Sequence, residues 1–405
     1  MKKNLVTVLL GVCAVLSLVA LPFLAGRVLA APAEPAPKTV DIGMLAALTG
    51  WGSAAEVPIS QGAVVAQEYL NQKGGIKIKG VQYNIRLHIE DTKGTADGAV
   101  AAATKLVYSD KVKFVVGTVV PNVMEGAQTV TEPAKVLFVT AYNSGVPSQY
   151  SPKTPYTFVG QAATIEGTAI CMKYLREAYP KAKKLAFIFP DDGSIPYLGP
   201  VLKRRAGEVG LTVVGDPVKW PDTTIDFTAI VARVLASQPD AIAMVNGWPQ
   251  ALGSMLKAAR EQGFTGPMFA PHNAAPEVAQ SAGLAASNDY FTTSITPNDP
   301  AMTPMIKQLA PRLQAKYGNI SYYHFWGFQV VDVCRQGMEA AQSLDPTAVK
   351  AALEKIETLP TLYGTARMGG LETYGIKHTV CNPLPIQDLQ KGISKHVKWV
   401  TFVSP

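Results

Sequence analysis

The 405-residue chain is poor in the residues that most often carry catalysis or crosslinks. It holds 4 cysteines and 5 histidines, neither at metal-ligand spacing, so a zinc site or a disulfide scaffold does not organise it. Gly-x-Ser-x-Gly, His-Glu-x-x-His and Gly-x-x-x-x-Gly-Lys are all missing, which removes common signatures of hydrolases, zincins and P-loop NTPases. Asp191-Asp192 is the only adjacent acidic pair in a loop that would face a cleft. With so few histidines to join it, solvated loop acids are the simpler reading. No catalytic residue, metal ligand or cofactor is assigned. Beyond the amino-terminal leader no apolar run resembles a membrane span. The formal charge is +7, and the one basic cluster is Lys203-Arg204-Arg205. It reads as a solvated helix face, so no nucleic-acid partner is expected.

What is present begins with an export signal. Lys2 and Lys3 precede an apolar stretch over 5–24, and Val28-Leu29-Ala30 fits the small-residue cleavage rule. The pattern predicts a secretory signal peptide over 1–30, cut after Ala30, and a flexible spacer over 31–39. Pro22, Gly26 and Arg27 argue against an uncleaved anchor, and Val12 before Cys13 is a poor lipoprotein signal. The mature chain is expected in the periplasm. It would have about 375 residues, which suits two domains, and a charge near +4. Cys171, Cys334 and Cys381 remain after cleavage; one disulfide among them is compatible with export, and its pairing stays open.

Apolar runs then alternate with amphipathic stretches. Residues 42–48 read as a buried strand, and 60–71 as a helix with Ala63, Ala66 and Leu70 on one face, stopped by Gly74-Gly75. Strands over 83–90 and 113–116 flank a helix over 95–108. Asn122 with Glu125 forms a capping-box pattern before the strand over 136–139. A second series follows: strands over 185–189, 211–214, 241–245, 268–270 and 290–293, with helices over 200–209, 227–237, 251–262 and 276–282. Helices over 302–317 and 323–341 come next, and Asp345-Pro346 opens another. Strands separated by helices pair in parallel and bind ligands at their carboxyl ends. Two α/β units with a cleft between them are expected.

The order Ile42-Gly-Met-Leu-Ala-Ala-Leu-Thr-Gly50, Gln61-Gly-Ala63 and Asn71-Gln-Lys-Gly-Gly-Ile76, extended by 101–110 and 112–117, carries a resemblance. It is similar to periplasmic solute-binding proteins of branched-chain amino-acid-type ABC transporters. The likeness runs from about Val40 to at least Gly370. It implies a type I periplasmic binding fold: α/β, with two doubly wound parallel-sheet lobes joined by three crossovers near 158–161, 290–293 and 367–370. Lobe 1 would span 40–158 plus 292–368, and lobe 2 159–291 plus 369–405. It also implies a non-enzymatic receptor, monomeric, that closes on a small-molecule ligand and delivers it to membrane permease subunits. A secreted ligand-sensing domain would use the same fold, and a neighbouring gene for a kinase or chemoreceptor would favour it.

The resemblance also implies a ligand set, and this chain departs from it. Relatives hold an amino-acid zwitterion with a serine after the third strand, a hydroxyl after the fourth, and an acidic residue from the second lobe. Here Pro121 falls where the serine is expected, Ser144 keeps a hydroxyl, and His272 replaces the acid. Histidine does not replace a carboxylate as partner of an ammonium. Aromatics stand on matching loops: Trp51, Tyr142, Tyr197 and Trp248. With Asn122 at a helix start and Asn143, Ser144, His272 and Asn273 as polar anchors, they form the expected ligand-binding set. The set favours a small carboxylate, aromatic ones included, over a free amino acid. The stretch 322–326 reads as core or hinge packing, and the roles of Arg367 and His378 stay open.

Overall fold

The structure, a computed structural model, describes residues 38–403 apart from Trp51, Asn143, Asp222, Ala274, Ser294, Thr296 and Asn298. The predicted signal peptide lies outside the described residues. Lys38 and Thr39, assigned to the spacer from sequence, already belong to the first strand.

The chain builds two sheets by visiting each twice. β1 (Lys38–Ala46), β2 (Ile76–Ile78), β3 (Val81–Asp91), β4 (Phe114–Gly117), β5 (Leu137–Thr140) and β6 (Thr157–Val159) start the first sheet. Helices α1 (Ser53–Gln72), α2 (Ala96–Thr104) and α3 (Pro121–Thr131) connect them. The chain then crosses into α4 (Thr164–Ala178) and the second sheet. That sheet takes β7 (Lys184–Pro190), β8 (Thr212–Val213), β9 (Val218–Trp220), β10 (Ala241–Met244), β11 (Met268–Ala270) and β12 (Tyr290–Thr293). Its helices are α5 (Ile195–Glu208), α6 (Thr228–Leu235), α7 (Pro249–Glu261) and α8 (Ala275–Ala282). After β12 the chain returns through α9 (Pro304–Tyr317), α10 (Tyr322–Ala341) and α11 (Pro346–Lys355). It adds β13 (Thr358–Thr361), β14 (Gly364–Gly369), the short α12 (Leu371–Tyr374) and β15 (Thr379–Cys381) to the first sheet. β16 (Leu384–Gln390) and β17 (Ile393–Val400) complete the second.

Strand order is β13-β14-β15-β6-β5-β4-β1-β3-β2 in one sheet and β17-β16-β12-β11-β10-β7-β8 in the other, with β9 also on β7. The central strands are parallel and the antiparallel pairs lie toward the edges. Central strands are continuous apolar runs because both faces are covered. Phe114 and Val116 join the core shared with α1, α9 and α10, while Val115 between them joins the core shared with α2 and α3. The second sheet divides likewise: Phe187 and Phe189 face α4 and α5, and Ala186 and Ile188 face α6 to α8.

The third passage between sheets differs from expectation. At 367–370 the chain is still in the first sheet, and it leaves only at Asn382-Pro383, after β15. Two left-handed glycines, Gly370 (φ 105) and Gly375 (φ 76), turn the chain through α12 and back for one more strand. His378, just before β15, is fully buried there. Its ring stacks on Phe158 at 3.7 Å, and its nitrogens reach the Thr157 carbonyl (2.9 Å) and the Glu354 carboxylate (2.7 Å). His378 therefore ties together β6, α11 and the entry to β15.

α1 and α10 meet at closest approach through glycine. A Cβ on Gly62 would lie 1.8 Å from the His324 carbonyl oxygen, and one on Gly327 1.8 Å from that of Ile59. Only hydrogen fits at either point. Cys171, Cys334 and Cys381 are all buried, and no disulfide links any two of them. In the basic cluster Lys203 and Arg204 are exposed, but Arg205 is buried and lies over the Phe402 ring at 5.3 Å. A wholly solvated face is thus corrected at that residue.

Candidate functional site

The carboxyl ends of the parallel strands meet at one cleft of about 160 Å³. The first sheet supplies Val119 and Pro121 after β4, Tyr142 and Ser144 after β5, and Tyr322, Tyr323 and Trp326 from the first turns of α10. Facing them are Pro190 and Asp192, Trp220, the loop 246–248 after β10, and the loop 271–273 after β11. Such placement follows from winding: in open parallel sheets the crevice forms outside the strand ends where the order reverses.

A buried carboxylate shapes the first wall. Glu56, in the first turn of α1, is fully buried and accepts from the Ala47 N–H, the Thr118 hydroxyl (2.5 Å) and the Val119 N–H (2.7 Å). Burial raises its pKa, and those donors oppose the rise. The bonds fix the turn at Thr118 (φ 53) that delivers Val119 and Pro121 to the cleft. Pro121 is the first residue of α3 and Val120 its cap, with no side-chain capping bond. The predicted capping box therefore does not form. Asn122 is exposed, and its amide reaches the Gly94 carbonyl at 3.5 Å.

Aromatic rings form the rest of that wall. Tyr142 stacks on Trp326 with centroids 5.5 Å apart and planes within 5°. Tyr322 and Tyr323 meet Trp326 edge-on at 5.1 and 5.2 Å. Capping of α10 holds this panel: the Ser321 N–H donates to His324 Nδ1 (3.1 Å), and His324 Nε2 donates to Gln61 Oε1 (3.0 Å).

On the opposite wall, His272 adopts φ 56 and sets its ring edge-on to Tyr142 at 5.4 Å. Its Nε2 lies 2.8 Å from the Ala163 carbonyl. A carbonyl only accepts, so Nε2 carries the hydrogen and Nδ1 is bare. Burial lowers its pKa to about 4, against the effect of that bond. His272 thus presents a neutral ring at pH 7. Gly167 of α4 makes room for it, since a Cβ there would lie 2.4 Å from Nε2 and 2.8 Å from Pro271 Cβ.

One polar group spans the cleft. The Tyr142 hydroxyl is hydrogen-bonded to Thr164 Oγ1 at 2.5 Å, and their oxygens lie 3.0 and 2.8 Å from Asn246 Oδ1, so one hydroxyl donates to the other, which donates on to Asn246. Burial raises the Tyr142 pKa, which keeps the phenol neutral. Ser144 donates to Gln149 Oε1 (3.2 Å), and Asn273 Nδ2 donates to the Pro271 carbonyl (2.7 Å). Asp192 is the only formally charged residue among the described lining residues, and it is exposed.

Of the residues expected from sequence, Pro121, Tyr142, Ser144, Trp248, His272 and Asn273 line the cleft. Asn122 and Tyr197 do not; Tyr197 is 49% exposed on the first turn of α5. Trp51 and Asn143 lie outside the described residues. Sequence reasoning missed Tyr322, Tyr323 and Trp326, because their helical spacing fits core packing equally well. They do pack in the core, yet the helix opens at the cleft. Four aromatics, Tyr322, Tyr323, Phe325 and Trp326, inside the first five residues of a helix were the available signal. Asn246, Gly247, Trp220 and Val119 had none.

A family model described as "Periplasmic binding protein" matches residues 39–392. The Leu/Ile/Val-binding protein BraC3 of Rhizobium johnstonii is 26% identical over 338 residues, covering 82% of this chain and 87% of that protein. The isoleucine complex of the branched-chain amino acid transporter substrate-binding protein LivJ from Streptococcus pneumoniae superposes with a TM-score of 0.71 at 19% identity. It covers 90% of this chain and all of that one. A solute-binding protein of an ABC transporter from R. palustris, in complex with benzoate, gives a TM-score of 0.69 at 15% identity, covering 90% and 98%.

Proposed function

This chain belongs to the periplasmic binding protein family, and on that basis we propose that it is an exported receptor capturing small aromatic carboxylates. Its role as a non-enzymatic solute-binding protein of the kind serving ABC transporters follows from the family and its relatives. The ligand class is the step beyond them. In this reading a leader over 1–30 directs export, the two lobes close about the three passages between sheets, and a monomer presents the loaded form to permease subunits. Among the described residues, no helix is long and apolar enough to cross a membrane.

The observation that carries the ligand class is the aromatic panel of Tyr142, Trp326, Tyr322 and Tyr323, faced by a neutral His272. Flat π faces favour stacked or edge-on partners, and a zwitterion's ammonium finds no buried acid among the described lining residues. No lysine or arginine lines the described wall either. The carboxylate is instead assigned to the starts of α3 and α7. Both open at the cleft with proline in the first turn and no side-chain cap. Helix amino-termini accept anions through their first-turn N–H groups. The benzoate complex of the R. palustris protein supports the reading, because the same fold accommodates an aromatic acid.

The test is calorimetric titration and thermal shift with benzoate, 4-hydroxybenzoate, leucine and valine. A ligand at one hundred times its Kd stabilises by about 2.7 kcal/mol, so aromatic acids should raise Tm clearly. Tight leucine or valine binding with no response to aromatic acids refutes the assignment.

A further inference from the structure

Asn246 combines three features that the receptor fold alone does not require. Its backbone sits in the left-handed region (φ 52), its side chain lines the cleft, and its Nδ2 is buried without any hydrogen-bond partner. The orientation of its amide follows from the hydrogens that its two neighbours carry. The oxygens of Tyr142 and Thr164 are 2.5 Å apart and lie 3.0 and 2.8 Å from the Asn246 atom between them. Each hydroxyl carries one hydrogen, and the 2.5 Å bond between them takes one of the two. The other hydrogen needs an acceptor, which the amide oxygen is and the NH2 group is not. The oxygen therefore faces the two hydroxyls, and the NH2 is turned away from them.

A buried donor without an acceptor is costly and calls for an occupant of the site to complete it. The hydroxyls that hold this donor come from both sides of the cleft: Tyr142 follows β5 of the first sheet and Thr164 opens α4 beside the second. The donor is consequently set only when the two sides are together.

We propose that the Asn246 amide is a specificity-determining group that selects ligands carrying a carboxylate oxygen and rejects those offering an ammonium. The inference rests on the solute-receptor reading and deepens it. Neutral hydrogen-bonding groups set in this way discriminate strongly, since a wrong ligand leaves them unpaired.

The experiment compares wild type, Asn246→Asp and Asn246→Ala by calorimetric titration with benzoate and benzylamine. Asn246→Asp keeps the oxygen that Tyr142 and Thr164 address but replaces the donor with an anionic acceptor. Benzoate affinity should fall at least 30-fold in Asn246→Asp and about 10-fold in Asn246→Ala, while benzylamine gains in the aspartate variant alone. The melting temperature without ligand reports folding separately. Two well-folded variants that bind benzoate within twofold of wild type overturn the inference. If wild type takes leucine and not benzoate, the aromatic-acid reading fails. The same comparison run with leucine and isoamylamine then still decides whether this amide selects the carboxylate.

Discussion

Replacing Gly167 by alanine sets two well-calibrated effects against each other. Gly167 lies inside α4, where alanine is preferred to glycine by about 1 kcal/mol. A helix considered alone would gain from the change. The added Cβ, however, would sit 2.4 Å from His272 Nε2 and 2.8 Å from both His272 Cδ2 and Pro271 Cβ. His272 has no free space into which to swing, because it is 5% exposed and bonded at both ends, to Thr293 and to Ala163. Overpacking a core costs about 1–3 kcal/mol. Parting Nε2 from the Ala163 carbonyl leaves a buried pair unmade, at about 1–3 kcal/mol more. The net expectation is a loss of about 1–5 kcal/mol, with weaker ligand binding because the 271–273 loop shifts. Gly207 in α5 provides the control: nothing lies within 4 Å of a Cβ built there. Gly207→Ala should stabilise by about 0.5–1 kcal/mol. Both variants are measured by urea denaturation and by titration with the strongest ligand of the panel. A Gly167→Ala protein as stable as Gly207→Ala, with unchanged affinity, refutes the packing argument.

Other expectations concern the aromatic wall, pH and the thiols. Trp326→Ala should cost about 3–5 kcal/mol in denaturant unfolding and abolish aromatic-acid binding in titrations, since it removes the ring that Tyr142 stacks on. Tyr142→Phe keeps that stack but leaves Asn246 Oδ1 with Thr164 alone, so about 1 kcal/mol of stability should go. His272 prefers its neutral form when folded, at a pKa of about 4 against 6.5 for the free side chain. Its stabilising effect is complete above pH 6.5, shrinks as pH falls and is gone below about 4. At about 1.4 kcal/mol per pH unit this amounts to roughly 3 kcal/mol. His272→Gln should therefore flatten the stability profile over that window relative to wild type. Cys171, Cys334 and Cys381 should react with a thiol reagent only after denaturation, and reductant should leave native Tm unchanged.

The parallel strands were legible because both of their faces are buried and their runs are apolar throughout, as in Phe114–Gly117 and Leu137–Thr140. Pieces that depend on partners distant in sequence were not. β2 is three residues long and exists by pairing with β3, and β15 depends on two left-handed glycines returning the chain to β6. At the cleft, a residue on a loop after a strand was readable from topology, as for Tyr142 and His272. Asn122 failed because Pro121 starts α3 and leaves the asparagine outside the cap position. Trp326 failed because periodicity marks a buried face without saying whether a ligand shares it. Asn246 was invisible in sequence, since its significance lies in its bonding to two hydroxyls contributed by other segments.

The glycine contact between α1 and α10 bears on how a solute is caught. Helices that touch backbone to backbone at Gly62 and Gly327 do not slide past each other without collision. Tyr322, Tyr323 and Trp326 are consequently mounted on an unyielding frame, whole before any guest arrives. An entering ring should settle first on that finished surface, and the other half of the molecule then swings down onto it.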